Sequence, residues 1–156
     1  MTMKRMTILL AVLVLFLVST KAGPSSTHSA SSDHILLIDR SSTAVSGGKA
    51  MLSIGPLQRT ADIYAGDYQM KVSPYFFKGE RGRLAIVVSR ESLAKVANGI
   101  AAEITGTATT SGKSGQTRRI DATATPVDNN HGALKLWFIA EGRKMVFNTS
   151  YHFAEK

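Results

Sequence analysis

Apolar and polar residues alternate with period two over most of this chain, the repeat expected of strands with one buried and one solvated face. Leu84, Ile86 and Val88 interleave with Ala85, Val87 and Ser89, and Tyr68, Met70 and Val72 with Gln69, Lys71 and Ser73. The clearest run is the last, where Met145, Phe147, Thr149, Tyr151 and Phe153 share one face and Val146, Asn148, Ser150 and His152 the other. Further strands are predicted over Ile35 to Ile38, Ala50 to Leu57, Thr60 to Tyr64, Ile100 to Thr110, Thr117 to Thr125 and Leu134 to Ala140. Gly, Pro, Asn or charged residues separate them, as turns require. One helix near residues 90–98 interrupts the series. Ser89 can cap it, Glu91 lies in its first turn, Leu93, Val96 and Ala97 form an apolar stripe, and Asn98-Gly99 ends it. At about two turns it cannot stand alone, so it is expected to plug one open end of the sheet structure. The pattern predicts an all-β, mainly antiparallel fold: a single sandwich or barrel-like domain of about 8–9 short strands with one short helix.

The strands begin only after a segment of different character. Lys4 and Arg5 precede an unbroken apolar run from Ile8 to Val18, followed by Ser19-Thr20-Lys21-Ala22. A basic start, roughly 11 apolar residues and a small residue at the cleavage point make a secretory signal peptide. A membrane span needs roughly 17 to 25 apolar residues, so the run is too short to be one. The expected organisation is a signal peptide over 1–22, a flexible Ser-rich tether over 23–32 and one β-domain over 33–156. Such a chain is exported, to a periplasm or to the outside, and keeps no stable membrane span once the signal is cleaved at Ala22.

Composition narrows the chemistry. The 156 residues include no cysteine, which excludes disulfides, thiolate catalysis, Cys-ligated zinc and a lipid-modified cysteine anchor. Nineteen basic against 11 acidic residues give a formal charge of +8, a bias that suits an anionic partner.

Strand order suggests where that charge collects. If the strands from Tyr68 onward run up and down in sequence, the turns at 78–83, 111–116 and 141–143 lie at one end. The helix and the loop 126–132 then lie at the other. The first end gathers Lys78, Arg81, Arg83, Lys113, Arg118, Arg119, Arg143 and Lys144 against Glu80 and Glu141. These eight cations are the candidate site for phosphate, sulfate or carboxylate groups on an anionic surface or polymer, such as a polysaccharide or lipid headgroups. Tyr75 beside the rim and Trp137, on the face opposite Leu136 and Phe138, are candidate stacking platforms. The competing reading is that hairpin tips are charged because they are solvated.

Motifs for catalysis or cofactor binding are incomplete. Ser111-Gly112-Lys113-Ser114 ends like a phosphate-binding loop, but the earlier glycine such a loop requires is Thr107, and a strand follows where a helix is needed, so no nucleotide is expected. Ser92-Leu93-Ala94-Lys95 resembles the S-x-x-K motif of penicillin-binding proteins and serine β-lactamases, yet the companion S-D-N and K-T-G elements do not occur. Asp128, Asn130 and Gly132 open like a calcium loop, but Ile139 stands where the bidentate Glu belongs. His34 and His152 have no partner at metal-ligand spacing, so neither a metal nor another cofactor is implied. The sequence therefore favours a non-catalytic exported β-domain, a binding or envelope-associated accessory protein. The alternative is a small exported hydrolase or acid-base enzyme using Asp128 and His131. Ligand, process and oligomeric state stay open at this level.

Overall fold

The computed structural model describes residues 34–74, 79–112, 115–140 and 142–154. The proposed signal peptide and the whole of the tether lie outside them. Ten strands and one helix follow in order: β1 (Ile35–Ile38), β2 (Ser41–Val45), β3 (Gly48–Ile54), β4 (Leu57–Thr60), β5 (Ile63–Ser73), β6 (Glu80–Val87), α1 (Arg90–Ala97), β7 (Ala102–Thr110), β8 (Thr117–Pro126), β9 (His131–Ala140) and β10 (Arg143–Ala154).

All pairings are antiparallel, and the sheet closes on itself. The closed ring runs β1, β4, β5, β6, β7, β8, β9, β10 and back to β1, so eight strands form a barrel and β2 and β3 are additional. The additional pair keeps the register of the first: Leu36 lies opposite Leu57, and Ser41 opposite Leu52. β1–β2 and β3–β4 thus form one bent ribbon turning at Ser46-Gly47. The bend falls at Asp39-Arg40 on one side and Gly55-Pro56 on the other. Between β3 and β4 the register against β5 slips by one residue, from Ile54 opposite Tyr68 to Gln58 opposite Ala65, which is a β-bulge. Proline, which has no N–H for the ladder, fits there. Gly66 faces the bulge because a Cβ would sit 2.7 Å from the Pro56 carbonyl oxygen.

The inward positions form one core. Tyr64, Leu84, Leu136, Leu57 and Phe147 are its largest fully buried side chains, and Phe138 stacks on Phe147 at 5.8 Å between ring centroids. The helix behaves as its sequence predicts. Ser89 Oγ accepts from the Ser92 N–H at 3.1 Å, and Gly99 leaves the helix at φ 74°, in the left-handed region. Val96 is buried and Leu93 half-buried against the core, so α1 covers one mouth of the barrel.

Two sequence expectations are corrected in detail. The strand predicted over Thr60 to Tyr64 straddles a turn: β4 ends at Thr60, Ala61 adopts φ 55°, and β5 begins at Ile63. β9 starts at His131, inside the segment assigned to a loop. Among the described residues no helix is long and apolar enough to cross a membrane.

Candidate functional site

Up-and-down connectivity places the β2–β3, β5–β6, β7–β8 and β9–β10 connections at one end of the barrel. The β4–β5 turn, α1 and the β8–β9 loop lie at the other. The described rim residues share an end, but period two sends them in different directions. Tyr75, Lys78 and Lys113, with Glu141, lie outside the described residues. Of the rest, Arg81 and Arg83 point outward from β6, Arg119 from β8 and Lys144 from β10, on strands separated by β7 and β9. Arg143 is exposed at the start of β10.

Arg118 has the opposite orientation. It points into the barrel mouth, where its Nη1 lies 2.5 Å from both carboxylate oxygens of Glu80. Tyr68 donates its hydroxyl to the same carboxylate at 3.1 Å. Arg118 and Glu80 are only 20% and 18% exposed, so this cation is neutralised and largely withdrawn from solvent. Burial, and then the charge and hydrogen bond of Glu80, push the Tyr68 hydroxyl up to about 12. Two more rim arginines have acidic partners: Arg119 sits 2.8 Å from Asp121, and Arg83 sits 3.8 Å from Asp67. Trp137 does lie on the outer wall, but Lys144 Nζ rests 4.7 Å from the centre of its ring, so part of the predicted platform is already covered. The described members of the eight-cation rim radiate from several strands, and three of its arginines are paired with carboxylates.

A different cationic face emerges on the outer wall of β2, β3, β5 and β6. A shallow depression of about 350 Å³ there is lined by Arg40, Lys49, Met51, Ser53, Gln69 and Lys71, among others. It continues past Ser53 and Gln69 into a second depression that Arg81 and Ser111 help to line. Register explains the grouping. Met51 pairs with Lys71, Ser53 with Gln69, and Gln69 with Arg81, so Lys49, Lys71 and Arg81 step diagonally across three strands. Diagonal neighbours in a sheet lie about 7–8 Å apart. Arg40, at the bend between β1 and β2, flanks the other side. Among the described residues none of these four cations forms an ion pair. The nearest acid on this wall, Asp67, also lines the second depression, one row from Arg81, and faces Arg83. Asp39, next to Arg40 in sequence, takes the Ser150 hydroxyl at the β1–β10 seam instead.

The residues of the catalytic alternatives each have local partners. Asp128 Oδ1 accepts from the backbone N–H groups of Asn130 and His131, each at 2.8 Å, and Oδ2 lies 2.6 Å from His131 Nδ1. Those backbone hydrogen bonds hold the Asp128 carboxyl below the usual carboxylate range. This carboxylate folds its own turn, both side chains are half exposed, and neither lines the cavities inside the barrel. Ser92 bonds to Ser89 and the Glu103 carbonyl, whereas Lys95 pairs with Glu91 at 2.8 Å, so the S-x-x-K residues do not act on each other. Ser111 and Gly112 sit in the β7–β8 connection between strands, and no helix follows them. Among the described residues no group of three or more His, Cys, Asp or Glu could hold a metal ion. Comparison of the chain with protein-family models, with curated proteins and with solved structures returned no match.

Proposed function

We propose that this protein is a non-catalytic exported β-barrel that binds an anionic polymer through the outer face carrying Arg40, Lys49, Lys71 and Arg81. The observation that carries this reading is the contrast between two sets of cations. Arg83, Arg118 and Arg119 are paired with carboxylates, while these four surround an uncharged strip of Met51, Ser53 and Gln69 without ion pairs. Single exposed charges attract weakly in water, about 1 kcal/mol at 4 Å, and salt screens them. Four arrayed across adjacent strands suit a partner that repeats its charges, such as a sulfated or carboxylated polysaccharide, because each contact after the first forms at high effective concentration. The leader pattern supports export, which would bring the face to envelope or extracellular polymers.

Retention on immobilised heparin as a function of salt tests the reading. Lys49→Ala/Lys71→Ala is expected to elute at clearly lower salt than the parent, and Arg119→Ala at unchanged salt. Equal elution of all three proteins would refute the assignment of this face. Parallel sedimentation with phosphatidylglycerol vesicles distinguishes the source of the anion: binding to vesicles but not heparin would replace the polymer with a lipid surface.

A further inference from the structure

The ladder between β9 and β10 sets His131 directly opposite His152, at the end of the barrel that carries α1. Both histidines are exposed, whereas Gly132 and Tyr151, the next pair along, are buried, so the two imidazoles project from the same outer wall. Hydrogen bonds show which kind of pair this is. The His131 N–H donates to Asp128 Oδ1 at 2.8 Å, and the His131 carbonyl accepts from the N–H groups of Val127 and Asp128 at 3.0 and 3.1 Å. Both backbone groups of His131 therefore point away from β10, which makes His131–His152 a non-hydrogen-bonded pair. Such pairs are the closest in an antiparallel sheet, with Cα atoms about 4.5 Å apart and side chains in direct reach of each other. Just beyond, the Phe153 N–H donates to the Asn130 carbonyl at 2.8 Å, so the loop before His131 is tied to the strand that carries His152.

Asp128 adds a second, independent observation. Its Oδ2 lies 2.6 Å from His131 Nδ1. A carboxylate at one ring nitrogen keeps the proton there and leaves the Nε2 lone pair available, as it does behind histidines that ligate metals. The carboxylate is itself fixed in advance by the backbone N–H groups of Asn130 and His131. Among the described residues the His152 imidazole forms no ion pair that would compete for it.

We infer that His131 and His152 form a two-imidazole site for a divalent late transition metal, copper(II) above all, with Asp128 as the positioning carboxylate behind His131. Two imidazoles with water in the remaining positions suit the tetragonal geometry of copper(II), and nitrogen donors favour it over nickel and zinc. Zinc sites take three or four protein ligands, so zinc is the poorer match. The site lies on β9 and β10 at the α1 end and is independent of the cationic wall of β2, β3, β5 and β6.

Calorimetric titration of the protein with the chlorides of copper(II), nickel(II) and zinc(II) tests the inference. One site is expected, with copper the tightest. Loss of an outer-shell partner costs about 10–100-fold in metal affinity, and loss of a ligand at least as much. His131→Ala and His152→Ala should therefore each weaken copper binding at least about 10-fold. His28→Ala/His34→Ala, which removes the other two histidines, should bind as the parent does. Asp128→Asn still offers an oxygen to the backbone N–H groups but turns an N–H toward His131 Nδ1. Nitrogen-15 NMR should then show the ring proton moved to Nε2, with copper affinity reduced by about 10–100-fold. In the parent, zinc as a diamagnetic probe should shift the ring resonances of His131 and His152 together. The inference is overturned if the parent takes up no copper, if either single histidine variant binds within about twofold of the parent, or if uptake follows His28 and His34. Parental affinity in Asp128→Asn would overturn the role given to Asp128.

Discussion

Replacing Glu80 with glutamine removes a charge and little else. The amide is nearly isosteric and still accepts the hydrogen bond from Tyr68, so the loss isolates the electrostatic partnership with Arg118. Breaking a fully buried ion pair by neutralising one member costs about 3–5 kcal/mol, because the other charge is left without compensation. A fully exposed pair contributes about 0–1 kcal/mol. With the two side chains 18% and 20% exposed and the guanidinium in contact with both carboxylate oxygens, the cost should lie between these limits, about 2–3 kcal/mol. Arg118→Met should cost a similar amount, since it strands Glu80. The double variant Glu80→Gln/Arg118→Met leaves no buried charge and should cost less than the two singles together, with a coupling of about 2 kcal/mol. Urea unfolding at neutral pH, with a common m-value as the check on two-state behaviour, measures all four corners of the cycle. Additivity to within about 0.5 kcal/mol would refute the reasoning, because it would mean that the pair is a solvated rim contact. Arg118→Met should also keep parental heparin retention. Weaker retention would return Arg118 to the surface site from which its geometry removes it.

Two further outcomes follow from the same coordinates. The Tyr68 hydroxyl is pushed up to about 12 from 10.0, so the unfolded chain releases this proton first as pH rises. The associated stability is complete below pH 10 and is lost on the way to pH 12. Alkaline unfolding of Tyr68→Phe followed by circular dichroism should therefore be flatter over that interval, and an unchanged slope would exclude Tyr68 as its source. Gly132→Ala should destabilise by about 1–3 kcal/mol, because its Cβ would lie 2.4 Å from the Thr125 carbonyl oxygen and 2.8 Å from Pro126 Cα. Gly55→Ala, whose closest contact would be an ordinary 3.4 Å, is the comparison, and equal urea midpoints for the two would contradict the crowding at Gly132.

Much of the barrel is legible from side-chain alternation, because a closed sheet has one inside. Leu84, Ile86 and Val88 are buried as their spacing predicts, and so are Met145, Phe147 and Tyr151. The helix is legible from its ends, with Ser89 and Gly99 in the conformations their chemistry favours. β2 escapes because Ser-Ser-Thr-Ala-Val has almost no apolar contrast, and only its pairing with β3 defines it. The true partner of Arg118 is hidden for another reason. Glu80 lies 38 residues away, and nothing local in either strand states which mouth-facing positions meet. The cationic face is dispersed in the same way: Lys49, Lys71 and Arg81 belong to three strands and Arg40 to the bend between β1 and β2, and they converge only through the bent ribbon and its bulge. Its one local signal was outward phase, since Lys49, Met51 and Ser53 alternate with Ala50 and Leu52, as Gln69 and Lys71 do with Met70.

The seam between β1 and β10 sets a condition on the order of events during biogenesis. Ile35 pairs with Ala154 and Ile38 with Tyr151, with the Asp39 N–H reaching the Ser150 carbonyl just beyond. Until β10 is present, both β1 and β9 keep an open hydrogen-bonding edge, the template on which chains join one another. Such long-range pairing is also slow to form. The barrel therefore cannot close from its amino end while its last strand is still missing. It must be held open, and kept from its neighbours, until its last strand arrives.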